Sequence, residues 1–165
     1  MTGLTLVVIA RAVHILASVI WAGFVIVVAA TIVATPRGQD PIDARRIRQS
    51  AVSRGARIVA PAAAVSLVSG LYLFSALHAG AHTITEAALG VGALTAVLSF
   101  LVGAIGSGPA ERRLALLDQA KTAGAFTEGD AQTVVKLDRR VVITARSTAA
   151  LLLVSTLAMA IARYV

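Results

Sequence analysis

The chain has 165 residues, of which 58% are hydrophobic and 14% charged, and its mean hydropathy is +0.85. Soluble domains carry about 25% charged and roughly 45–50% apolar residues, so this composition excludes a disordered chain, a collagen-like fibre and an ordinary soluble enzyme. It leaves a single domain, residues 1–165, whose solvent is lipid. The absence of cysteine excludes disulfides, iron–sulfur clusters, thiolate zinc sites, cysteine nucleophiles and c-type haem attachment. The net charge of +7 reads as basic cytoplasmic loops rather than as a nucleic-acid surface.

A spanning helix needs roughly 20 mostly apolar residues. Four stretches meet that requirement, at about residues 11–34, 58–78, 85–107 and 141–162. The runs are rich in Ala and Leu and lack period-two alternation, so strands are excluded and the expected fold is all-α, an integral membrane four-helix bundle. Residues 1–4 carry no basic group, and the first run is accordingly read as a span rather than a secretory leader.

Direction follows from the basic residues. The loop 36–57 holds Arg37, Arg45, Arg46, Arg48, Arg54 and Arg57, and the segment 108–140 holds Arg112, Arg113, Lys121, Lys136, Arg139 and Arg140. The loop 79–84 holds none. Four spans place the two basic segments on one side, which the positive-inside rule assigns to the cytoplasm. The expected location is the inner (plasma) membrane, crossed four times, with both termini and residues 78–82 outside.

In chain order, Asp40-Pro41 predicts a helix start, and a basic helix over 42–54 is expected to lie along the anionic inner leaflet. Thr83-Ile84-Thr85-Glu86 has capping-box spacing at the start of span three. Gly90, Gly92, Gly103 and Gly106 in that span predict close helix approach. A cytoplasmic helix is expected from Pro109 to Lys121, ending at Gly124. Thr127 then caps a helix expected to run through Lys136 into span four.

Polar groups are expensive in lipid, so the few present mark candidate chemistry. His14 lies in span one, with Arg11 one turn before it. His78 ends span two on the same outer side, His82 follows at i+4, and Met159 lies about one turn below the outer surface in span four. The topology thus brings all three histidines and one methionine to one leaflet. Imidazole and thioether suit haem iron or copper. Two histidines from different helices would ligate a b-type haem, with Arg11 or Arg163 near its propionates. His14, His78, His82 and Met159 would instead hold copper. Among haem ligands, His14 is expected first. For its partner, His78 is preferred to His82, with Met159 third. No intramembrane carboxylate pair, Ser–His–Asp set, phosphate loop or nucleic-acid motif is present, and no catalytic residue is assigned.

His14, followed after six residues by Trp21-Ala22-Gly23, resembles the first-span motif of two groups of small bacterial membrane proteins. These are the copper-resistance D-type membrane domain and the haem-binding membrane protoporphyrinogen oxidase type. Arg57-Ile58, Pro61-Ala62 and Gly70-Leu71-Tyr72-Leu73 are similar to the second span of the oxidase type. The resemblance covers spans one and two. It implies a haem-ligating role for His14 and a place for Trp21 beside the cofactor. The oxidase type also has a lysine in span three, where this chain has none, so the resemblance implies a related pocket rather than the same enzyme. The resulting expectation is a haem-binding membrane protein that transfers electrons or serves in a larger redox complex. A copper-handling protein and a cofactor-free accessory subunit are the alternatives.

Overall fold

The computed structural model describes residues 3–34, 41–78 and 83–164, with no strand among them. The helices are α1 (Gly3–Ala34), α2 (Pro41–His78), α3 (Ile84–Val102), α4 (Gly108–Thr122) and α5 (Glu128–Ile161). A π-helical turn, Gly103–Ser107, joins α3 to α4 without a break. Four helical stretches are long and apolar enough to cross a membrane: Gly3–Ile32, Arg57–Leu77, Ile84–Thr122 and Glu128–Ile161.

Only a minority of each span is buried within the bundle. Large apolar side chains such as Val68 and Leu71, 70% and 72% exposed, cover the outside. In water such a surface would aggregate; in lipid it is the solvated face.

Local chemistry sets the helix starts. Thr83 and Glu86 form a reciprocal capping box at α3, and Thr127 and Asp130 form another at α5. Gly124 takes φ +74° after α4, a left-handed turn for which glycine has no steric cost. These match the sequence expectations for spans three and four.

The second helix differs from expectation. Residues 42–54 are not a separate surface helix but the first turns of α2, whose 38 residues run without interruption through Gly55 and Pro61. At Gly55 the absence of a side chain admits the Phe24 ring of α1, which occupies the space where a Cβ would sit. Pro61 lies inside the apolar stretch, where a proline within a helix is tolerated because neighbouring groups satisfy the freed carbonyl. Asp40, the expected cap, lies outside the described residues.

At 1.5 Å per residue, α2 extends roughly 57 Å, against a hydrocarbon core of about 30 Å. That helix is thus longer than a bilayer's apolar core, and the end of the bundle that carries Arg54, Arg112 and Lys136 is here termed the basic end. There α4 packs Ala110 and Leu114 on Val141, Val134 and Leu137 of α5.

The helices associate as two pairs, α1 with α2 and α3 with α5, closed into a ring by α1 against α5 and α2 against α3. Within the second pair, glycines bring the backbones together. A Cβ at Gly106 would fall on Thr144, and one at Gly92 would lie 2.9 Å from the Met159 Cγ. Ser155 Oγ donates to the Gly92 carbonyl (2.8 Å), and fully buried Ser99 donates to the Thr148 carbonyl (3.2 Å). Close approach of small residues with interhelical hydrogen bonds is how helices pack without a hydrophobic drive between them. Gly90, expected in the same role, faces open space.

Candidate functional site

The four helices meet at one layer, formed by Trp21, Ala63, Ala96 and Leu152. Trp21 is 5% exposed and makes an edge-on contact with Phe100 at 6.4 Å between ring centroids. The indole packs here against two small residues, Ala63 and Ala96, on facing helices. This layer divides the bundle into a histidine end and the basic end.

Toward the histidine end, His14 lies two turns from Trp21 along α1. Its Nδ1 is 2.8 Å from the Ser66 carbonyl of α2. A carbonyl oxygen only accepts, so the imidazole proton resides on Nδ1 and, in the neutral ring, Nε2 keeps its lone pair. Ser69 Oγ lies 3.3 Å from the same nitrogen while donating to the Val65 carbonyl (2.6 Å). Ser18, one turn along from His14, shares a 2.7 Å hydrogen bond with the Ser66 hydroxyl. A Cβ at Gly70 would come within 2.8 Å of the His14 Cε1, so the glycine makes space for the ring. One imidazole is thus held at a fixed angle by α2, half-buried between two helices.

Met159 lies seven residues beyond Leu152 on α5, just as His14 lies seven before Trp21 on α1. Seven residues are about 10 Å of helix, so both stand at one level above the shared layer. They occupy different pairs: His14 over Gly70, Met159 over Gly92. Arg11 and Arg163 belong to this end and are exposed. His78 is the last residue of α2, eight residues past Gly70, and therefore about 12 Å further along the helix than the residues touching His14. Its side chain and all of His82 lie outside the described residues. Among the described residues no group of three or more His, Cys, Asp or Glu is placed to hold a metal.

On the other side of the Trp21 layer, a cavity of about 850 Å³ opens between the two helix pairs. Its inner wall is apolar, with Trp21, Phe24, Val25, Val59 and Phe100. Its basic end carries Ser50, Ser107, Glu111, Arg112 and Asp118. The π turn forms part of the wall through Gly103, Ala104 and Ser107. That turn is stabilised by Ser107 Oγ donating to the Gly103 carbonyl (2.9 Å) and by Arg140 Nη2 reaching the Ile105 carbonyl (3.2 Å).

No known family, curated protein or solved structure matches this chain.

Of the sequence-derived site residues, the structure brings His14 and Met159 to one level and sets Trp21 in the core between that level and the cavity. The serines that orient His14 were not singled out in the sequence. Their signal is the serine at i+4 from His14, facing Ser66, Ser69 and Gly70 on one stripe of span two. The cavity too was missed. Its mark is the run of small residues Gly103, Ala104, Ser107 and Gly108, of which only Gly103 is singled out in the sequence, for close helix approach.

Proposed function

We propose that this chain is a multi-pass inner-membrane protein that holds a b-type haem at the level of His14 and Met159 and serves in electron transfer. The observation that carries this reading is the Nδ1–H donation from His14 to the Ser66 carbonyl. Metal-ligating histidines characteristically give their other ring nitrogen to a carbonyl, which fixes the tautomer and raises the basicity of the ligating atom. A histidine present only for packing would gain as much from a bond through either nitrogen, and a hydroxyl would serve at lower cost in lipid.

The donor set fits the group in kind. One imidazole presents Nε2, and one thioether stands at the same level on another helix, the His/Met combination known for haem iron in helix bundles. Met159 therefore replaces His78 as the favoured partner, since His78 stands about 12 Å further along α2. Haem, when bound, supplies one-electron transfer. The chain's own residues do the rest. Ser66 and Ser69 orient the ring, Gly70 admits it, and exposed Arg11 and Arg163 provide positive charge at the same end for propionates. Buried Trp21 closes the site off from the cavity. The positive-inside rule supports a cytoplasmic side for that cavity, with both termini outside.

The test is the absorption spectrum of the purified full-length protein. A Soret band with split alpha and beta bands on reduction is expected. His14→Ala should abolish it, and Met159→Leu should convert six-coordinate to five-coordinate haem, while both variants still insert. A colourless protein carrying stoichiometric copper overturns haem in favour of copper handling, and a protein with neither is an accessory subunit.

A further inference from the structure

The cavity between the helix pairs is independent of the His14 level. It begins on the other side of Trp21 and contains no histidine or methionine. Its volume of about 850 Å³ falls in the range of small-molecule sites, roughly 300–1,000 Å³. Three further features give it chemical character.

First, its polarity is graded along the bundle axis. Aromatic and branched side chains, Trp21, Phe24, Val28 and Phe100, surround the part level with the membrane. Serine hydroxyls, a carboxylate and a guanidinium gather at the basic end. Second, the wall includes the π turn, which widens the helix backbone at this depth. Such turns are uncommon and recur at functional sites. Third, the walls on α2 and α5 carry the small residues Ala60 and Ala145, where larger ones would close the gap between the pairs. The α3/α5 pair elsewhere uses its small residues to achieve contact. Here they leave space.

We infer that this cavity binds a chain-bearing amphiphile, its apolar tail against Trp21, Phe24 and Phe100 and its hydrogen-bonding head at Ser107, Glu111 and Arg112. The head region offers the Arg112 guanidinium as a donor, which matches a head group that accepts through oxygen, as quinone carbonyls and a fatty acid's carboxyl both do. Two sources share that chemistry: an isoprenoid quinone and a free acyl lipid.

Trp21 is the only tryptophan in the chain, and it lines the cavity while being shielded from the surrounding lipid. Its fluorescence therefore reports the site. Full-length protein in lipid nanodiscs is titrated with decylubiquinone and, separately, with dibromostearate, both quenchers. Saturable quenching with one equivalent per chain is expected from one of them, and which one saturates identifies the source. Ala145→Phe and Ala104→Phe fill the cavity from two helices and should each weaken binding by about tenfold or more. Arg112→Gln, at an exposed position, should weaken it without disturbing packing. Ala93→Phe, exposed on α3 and outside the cavity, should leave it unchanged. Quenching that rises linearly with either probe, or that saturates identically in Ala145→Phe and Arg112→Gln, overturns the inference. So does haem recovered from the cavity, seen as a Soret band lost in Ala145→Phe but kept in His14→Ala.

Discussion

Within the α3/α5 pair, hydroxyls reach across to backbone carbonyls: Ser155 to Gly92 and Ser99 to Thr148. Within the α1/α2 pair the corresponding places are taken by an imidazole on the Ser66 carbonyl and a serine–serine hydrogen bond. Both arrangements satisfy polar groups in a medium that offers no water. Only the first needs nothing ionisable. The α3/α5 pair shows that glycine and serine suffice to hold two helices together in this protein, so an imidazole in the α1/α2 pair exceeds what packing requires. On the proposed haem reading, that surplus marks His14 as the first ligand, joined by Met159 from α5, with the rest of the α3/α5 pair as scaffold.

The contrast can be broken most severely at Gly106. Gly106→Leu drives a side chain into Thr144 and should cost at least about 1–3 kcal/mol, the usual cost of overpacking, read as a lowered melting temperature in detergent. Gly90→Leu, facing open space in the same helix, should melt like the parent. Next comes the hydroxyl bond of the scaffold. Ser155→Ala should lose about 0.6 kcal/mol, and at most about 1.7, in reversible unfolding, with no change in any cofactor spectrum.

The comparison is sharpened at Gly70. Gly70→Ala puts a methyl 2.8 Å from the His14 ring and should change the ligand field at the imidazole while stability moves by less than about 1 kcal/mol. A variant that unfolds with an unchanged spectrum would place Gly70 with the scaffold glycines instead. The smallest effect concerns the start of α5. The Thr127 hydroxyl donates to Asp130 (2.7 Å), and its backbone N–H donates to the same oxygen (2.9 Å). These bonds hold the carboxyl below its ordinary value of 3.8. A depressed carboxylate stabilises the folded state above its unfolded pKa. That contribution fades as pH falls below about 3.8 and through the lower folded value. Amide exchange in the first turn of α5 should accelerate over that window, and Asp130→Asn should remove the dependence.

The spans were legible because their signal is bulk apolar length, which tertiary contacts do not alter. The caps at Thr83 and Thr127 were legible because a capping box is local. The register between helices was not. Nothing local shows that His14 stands opposite Ser66 and Gly70 rather than His78, since that pairing depends on how α1 packs against α2. The continuity of α2 was missed for a related reason. Arg45 to Arg57 looks like a surface segment in one dimension, whereas in the structure α2 is continuous there and Gly55 admits the Phe24 ring of its neighbour. Arg140 counts in the sequence only as a loop charge; it reaches the Ile105 carbonyl, whose α-helical donor position four residues on is Pro109, which has no N–H.

The π turn also fixes a rotational phase. Gly92, Ala96, Ser99 and Gly106 face α5 within the membrane, and Ala110 and Leu114 face α5 beyond it. An α-helix advances about 100° per residue, and a π turn holds one residue more than the α turn it replaces. Closing residues 103–107 to α geometry at full length would rotate everything after them by about 100° and swing Leu114 off Val141, whereas deleting one of the five would restore an uninterrupted α-helix with Leu114 still toward Val141. The basic end is therefore kept in phase with the apolar stretch by the geometry of this turn, which absorbs one residue without turning the face that meets α5.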